Sequence, residues 1–167
     1  TMKRAFIICD ILNTTEGASN EYDVRLNYAT KVLTKDPVIL SENTDTTKTV
    51  NDPILLSDLW ISGGYVNAIV TIPVMPNGFF FQRARNFVVD DKAQKDSTYT
   101  FMFRHNAFGE VLASDSSKNK DMVLANGYVS FPISSIIKED AANIVIKWNS
   151  YKVLDPGIVS SSSEEYK

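Results

Sequence analysis

Apolar side chains recur at every second position along much of this chain. Thr98 to Arg104 sets Tyr99, Phe101 and Phe103 on one parity, Tyr128 to Ile133 does the same with Val129, Phe131 and Ile133, and Asn143 to Trp148 with Ile144, Ile146 and Trp148. Successive side chains of an extended strand point to opposite faces, so each run presents one apolar face that must be buried. Helical spacing is almost absent. The strand formers are correspondingly abundant: 15 Val, 14 Ile, 12 Thr, 9 Phe, 7 Tyr and 2 Trp. This pattern predicts an all-β protein.

Further elements follow from the same logic. Lys3 to Leu12 reads as a strand with apolar residues on both faces. After a turn-rich loop at 13–20, Glu21 to Leu33 reads as its partner, with Tyr22, Val24, Leu26 and Tyr28 inward. The two predict a long antiparallel hairpin. Val38 to Leu40 is a short strand, and Ser41 to Asn51 a polar loop. Ile54 to Ile61, the Gly63-Gly64 pair and Tyr65 to Ile72 predict a second hairpin, because glycine takes the positive φ of a tight turn at little cost. Pro73 to Gly78 is expected to break the ladder, since proline has no amide to donate. Phe79 to Val89 is a strand with Phe79-Phe80-Phe81 on both faces. His105 to Gly127 is the longest irregular stretch, with a small hairpin expected around the polar tip Ser114 to Asp121. Ser134 to Ala142 is the one helix candidate, and the serine-rich end from Asp155 reads as a frayed tail.

With 167 residues the chain has room for one full domain or two small ones. An apolar fraction of 44% excludes disorder for most of it. A net charge of -3 speaks against a dominant nucleic-acid role, because phosphate binding needs a basic surface. No apolar stretch approaches the ~20 residues of a membrane span. The single cysteine, Cys9, cannot close a disulfide within the chain, and in Phe6-Ile7-Ile8-Cys9 it reads as a small buried hydrophobe. Thr1-Met2-Lys3-Arg4 leads straight into a strand, as in a chain whose natural beginning lies upstream.

Few residues are suited to chemistry. His105 is the only histidine, and a transition-metal site needs several converging ligands. Arg104, His105 and Asn106 are therefore expected to bond to backbone where a strand meets its loop. Asp90-Asp91 and Glu139-Asp140 are neighbours that point to opposite faces, which makes them solvated turn charges. A glycan- or peptidoglycan-acting hydrolase would have to bring Asp90 or Asp91 to within ~5–9.5 Å of Asp115 or Asp121. Asp115, Ser116, Asn119 and Asp121 are hard oxygen donors, but Lys118 and Lys120 lie among them and the spacing fits no EF-hand loop. Phosphate-binding glycine loops, nucleophile elbows and His-Glu-x-x-His are all missing. The expectation is no catalytic residue, no metal and no cofactor. Tyr65, Phe80 and Phe108 are the candidate partner-binding residues: aromatics at strand ends or in the long loop, where a rigid sheet carries recognition.

Three segments together carry a family resemblance: Asp58-Leu59-Trp60-Ile61-Ser62-Gly63-Gly64-Tyr65-Val66-Asn67, then Phe103-Arg104-His105-Asn106, then Gly127-Tyr128-Val129-Ser130-Phe131. In that order they resemble the NigD-like family, envelope proteins of gut and oral anaerobes that pair an OB-like domain with a C-terminal β-sandwich. Pro132 after Phe131 departs from the family's usual acidic or polar residue. The resemblance implies an antiparallel sandwich at 38–155, preceded at 1–37 by the terminal strands of a partial OB-like domain, while the Pro-Gly pair and serine run make 156–167 read as a disordered tail. It further implies a non-catalytic binding module of the cell envelope. Its partner would be an envelope protein or a glycan, and its membrane association would run only through a lipid anchor outside the sequence. An OB-type oligonucleotide binder is the remaining alternative.

Overall fold

The computed structural model describes residues 3–14, 22–40, 50–76, 84–90, 97–138, 141–155 and 158–166. Among them are eleven strands in three sheets. β1 (Ala5–Thr14) and β2 (Tyr22–Lys31) form an antiparallel ribbon of their own. β3 (Leu33–Thr34), β5 (Leu55–Ser62), β6 (Tyr65–Val74) and β9 (Val123–Pro132) make a four-stranded sheet in the order β3-β9-β6-β5. β4 (Val38–Leu40), β7 (Ala84–Asp90), β8 (Thr98–Asn106), β10 (Asn143–Asp155) and β11 (Ile158–Tyr166) make a five-stranded sheet in the order β11-β10-β8-β7-β4.

The two larger sheets pack face to face, and the period-two rows supply the filling. Val66, Ala68, Val70, Ile72 and Val74 of β6 and Val129 and Phe131 of β9 meet Phe101 and Phe103 of β8 and Ile146 of β10, all essentially buried. The rings of Phe103 and Phe131 meet edge to face at 5.5 Å, the arrangement favoured by the ring quadrupoles. Each such side chain contributes about 1.5–3 kcal/mol by leaving water. Ile54 stitches the layers: its amide donates to the Asn149 carbonyl at 3.0 Å, and its carbonyl accepts from the Tyr151 amide at 3.1 Å.

The all-β sandwich is as expected, with one amendment to its antiparallel character: β10 with β8, β3 with β9 and β4 with β7 run parallel. Local departures have local causes. β6 continues through Pro73 to Val74, because β5 has ended opposite Thr71 and one side of β6 no longer needs an amide donor. The expected hairpin around Ser114 to Asp121 is instead a short 3-10 turn at Ser116–Asn119. Asp115 caps it, and the Asn119 side chain bonds both the amide and the carbonyl of Ala113. The described part of the predicted helix at Ser134 to Ala142 is a set of turns in which Ile136 and Ile137 both donate to the Ile133 carbonyl, drawing their side chains onto the core. The expected tail is strand β11, whose backbone ladder is supplied by β10 from Ile146 to Asp155. Lys147–Glu165 and Lys152–Glu164 pair across that ladder at 3.9 and 3.3 Å.

The β5–β6 turn makes a direct test of backbone logic. Gly63 and Gly64 have φ of 57° and 79°, and the Gly64 carbonyl accepts from the amides of Ile133 and Ser134. A Cβ on Gly64 would meet Ser134 Cβ at 3.1 Å, whereas one on Gly63 meets nothing within 4 Å. In urea denaturation, Gly63→Ala is expected to cost about 1 kcal/mol from its left-handed backbone alone, and Gly64→Ala measurably more.

Candidate functional site

A bulge between Leu56 and Asp58 resets the parity of β5. Leu56 and Leu59 both pack on the core, and Trp60 comes opposite Asn67 on the other face of the sheet. That outer face carries Trp60 and Ser62 from β5, Tyr65, Asn67, Ile69 and Thr71 from β6, and Asn126, Tyr128 and Ser130 from β9. Two of the three sequence segments that carry the family resemblance therefore converge on one surface.

The surface is a seat for the ribbon. Phe6 stacks on Tyr128 with ring centroids 4.2 Å apart and planes 13° from parallel. The Arg4 guanidinium lies 4.0 Å over the centre of the Tyr65 ring. The Val32 amide donates to the Arg4 carbonyl at 3.1 Å, and the Lys35 amide to the Ser130 carbonyl at 3.2 Å. Beneath them the Ser130 hydroxyl donates to Asn67 Oδ1 at 3.0 Å, while Asn67 Nδ2 donates to Ser62 Oγ and to the Tyr65 carbonyl. Asn67 and Ser130 are 4% and 0% exposed. Burying a polar side chain is tolerable only when it is bonded in this way. A cavity of about 60 Å³ remains between Arg4, Phe6, Val32, Trp60, Asn67 and Tyr128.

The rest of the ribbon is bare. Tyr22, Val24, Leu26 and Tyr28, expected to face inward, are all exposed, as are Ile7, Ile8, Ile11 and Leu12. By register, Ile7, Cys9 and Ile11 sit opposite Ala29, Leu26 and Val24, forming an apolar face across both strands. Cys9 is thus half-buried rather than fully buried. On the other face Asp10 bonds Arg25, its partner in the ladder, at 2.6 Å. The Arg25 guanidinium, and after it Asn27, hold the Asp10 carboxyl below its ordinary pKa.

The Phe103 to Asn106 segment ends β8. His105 extends the inward row and is buried, and its carbonyl accepts from the Asp52 amide at 2.9 Å. The Asp52 carboxylate accepts from the Ala107 amide at 2.7 Å, and Asn106 Oδ1 from the Phe108 amide at 2.9 Å. The expected strand-end role of this triplet is therefore made partly through its own backbone and partly through Asp52, a residue not singled out in the sequence. Nearby, the Tyr151 hydroxyl accepts from the Leu112 amide at 3.0 Å. Burial, reinforced by the charge of Asp52, raises the Tyr151 pKa above its ordinary value.

The predicted partner residues do not come together as one site. Tyr65 is half-buried under Arg4. Phe108 is 62% exposed at φ 53°, far into loop backbone that bulky residues rarely adopt. Phe80 lies outside the described residues, as do Asp91, Glu139 and Asp140. Asp115 is occupied in capping its turn, its carboxylate accepting from the amide and hydroxyl of Ser117. Among the described residues no three of His, Cys, Asp and Glu group as metal ligands, and no helix is long and apolar enough to cross a membrane.

Fold and seat together define a two-layer β-sandwich with an N-terminal ribbon docked on the outer face of one sheet. Residues 36–155 match the NigD-like C-terminal beta sandwich domain, and the chain belongs to that family. Crystal structures share the fold. A protein of unknown function from Bacteroides vulgatus is 21% identical with a TM-score of 0.68, covering 98% of this chain and 70% of its own. A NigD-like immunity protein from Bacteroides caccae is 16% identical with a TM-score of 0.66, covering 98% and 75%. A candidate lipoprotein from Bacteroides fragilis is 14% identical with a TM-score of 0.57, covering 96% and 79%. No curated protein matches.

Two outcomes test this description. Phe6→Ala removes a stack worth about 0.5–1.5 kcal/mol beyond its buried area, so amide exchange should quicken in β1 and β2 but not in β6 and β9. Tyr151→Phe leaves the Leu112 amide without its acceptor, at a cost of about 1–3 kcal/mol at neutral pH. Because the folded Tyr151 pKa is raised, the wild type is at full stability below the unfolded tyrosine value of about 10 and loses stability as pH climbs through the folded value. The penalty of Tyr151→Phe, read from denaturation midpoints, should therefore shrink as pH rises above about 10.

Proposed function

We propose that this chain is a non-catalytic interaction module of the bacterial cell envelope that docks a polypeptide on the open face of its β1–β2 ribbon. The observation that carries this reading is the exposure of Ile7, Ile11, Val24 and Leu26 on a ribbon whose edges pair with no other strand among the described residues. A two-stranded ribbon is marginal alone in water, and an exposed apolar face with unpaired edges is a template for further strands. Polar side chains of the kind chemistry uses support the non-catalytic part: Asp52, Asp115, Asn106 and Asn119 are each committed to backbone. The envelope setting is supported by likeness to a candidate lipoprotein and a NigD-like immunity protein.

The test is site-specific photo-crosslinking in the native host. A crosslinking residue at Ile11 or Leu26 is expected to trap one discrete polypeptide, and one at Lys147 none. Adducts at all three positions alike, or at none, overturn the reading. Leu26→Lys should abolish the Ile11 adduct yet shift stability by no more than about 0.5 kcal/mol, because the side chain is exposed.

A further inference from the structure

We infer that the cleft between the ribbon and the outer face of the four-stranded sheet is a saccharide-binding site. The cleft has a volume of about 330 Å³, at the lower end of the roughly 300–1,000 Å³ of small-ligand sites. Tyr28, Thr30 and Lys31 of β2 form one wall, and Ile69, Asn126, Gly127 and Tyr128 the floor and opposite side. Tyr28 and Thr30 pair with Ile8 and Phe6, on the ribbon face that meets the sheet and not on the face carrying Ile7 and Ile11. The site therefore stands apart from the polypeptide docking proposed above.

Its chemistry selects among ligands. The Thr71 hydroxyl donates to Asn126 Oδ1 at 2.6 Å, which orients the amide and leaves two N–H donors and one Oδ1 lone pair for a ligand. Asn126 is exposed and Thr71 lies opposite it in the β6–β9 ladder. Tyr28 brings a flat apolar ring with a polar tip, Tyr128 lines the cleft beside its stacking partner Phe6, and Thr30 adds a hydroxyl. A lipid tail needs a deeper apolar channel than this mixed lining gives. Tight phosphate binding favours bidentate arginine, and the cleft has one lysine in its place. A sugar ring, with a C–H face for Tyr28 and hydroxyls for the amide and Thr30, fits both kinds of wall.

The experiment is an amide-shift NMR titration of the whole chain with cello-, xylo-, malto- and chito-tetraose, each to about 10 mM, with inorganic phosphate as the anion control. At least one sugar is expected to shift the amides of residues 28–31 and 126–128 with a Kd of about 1 mM or tighter. Tyr28→Ala and Asn126→Asp should each weaken it about tenfold while the rest of the spectrum is unchanged. Both side chains are exposed, so the fold survives. Silence from all four sugars, shifts confined to other residues, equal affinity in both variants, or a response to phosphate alone overturns the inference. Crosslinking from Ile11 in the Tyr28→Ala variant separates the two proposals: it persists if only the sugar site fails.

Discussion

The inward rows of β6, β8, β9 and β10 are the constraint on which everything else rests. Their burial between two sheets fixes the pleat, and the pleat fixes the opposite parity. Once Val66, Ala68 and Val70 face the core, Tyr65, Asn67 and Ile69 must face outward. The ribbon seat and the cleft beside it are therefore by-products of core packing. A slip of one residue in the β6–β9 register would bury Tyr128 and expose Phe131, dissolving seat and core together.

The Asn67–Ser130 pair shows how the outer face tolerates being covered. Each polar atom placed under the ribbon has a partner, so the ribbon settles on a satisfied surface. Arg4 and Phe6 contribute directed contacts of modest strength, about 0.5–1.5 kcal/mol each. Their value is orientation more than stability.

Most of the sandwich was legible because period-two alternation is a direct trace of a half-buried strand. Thr98 to Arg104 and Tyr128 to Ile133 are observed on the parity expected. What escaped lacked that trace. Ser160 to Ser163 have no apolar rhythm, and their strand character comes from the β10 backbone alongside. Pro73 reads as a breaker unless one knows that its neighbour strand has already ended. The ribbon has strong strand character, but its sequence does not say what covers it, and Tyr22, Val24, Leu26 and Tyr28, whose alternation predicts an inward row, stand exposed. The candidate partner residues followed the same division. Phe108 stands exposed, Tyr65 was taken by Arg4, and the contributions of Asn126 and Asp52 depend on neighbours 55 residues away in sequence, Thr71 and Ala107.

Only Val32 separates the end of β2 from the start of β3, and its amide is bonded to Arg4 while Leu33 already pairs with Val129. The ribbon is thus no tethered arm sweeping through solution. It is held where Val32 leads into the sheet and again where Phe6 and Arg4 lie on Tyr128 and Tyr65, and its heading is inherited from the sandwich. A molecule arriving there meets a surface whose angular search is already complete, so little rotational freedom of the ribbon is left to lose when contact is made. By the same token, a pull on the ribbon's far end is delivered straight to the edge of the four-stranded sheet.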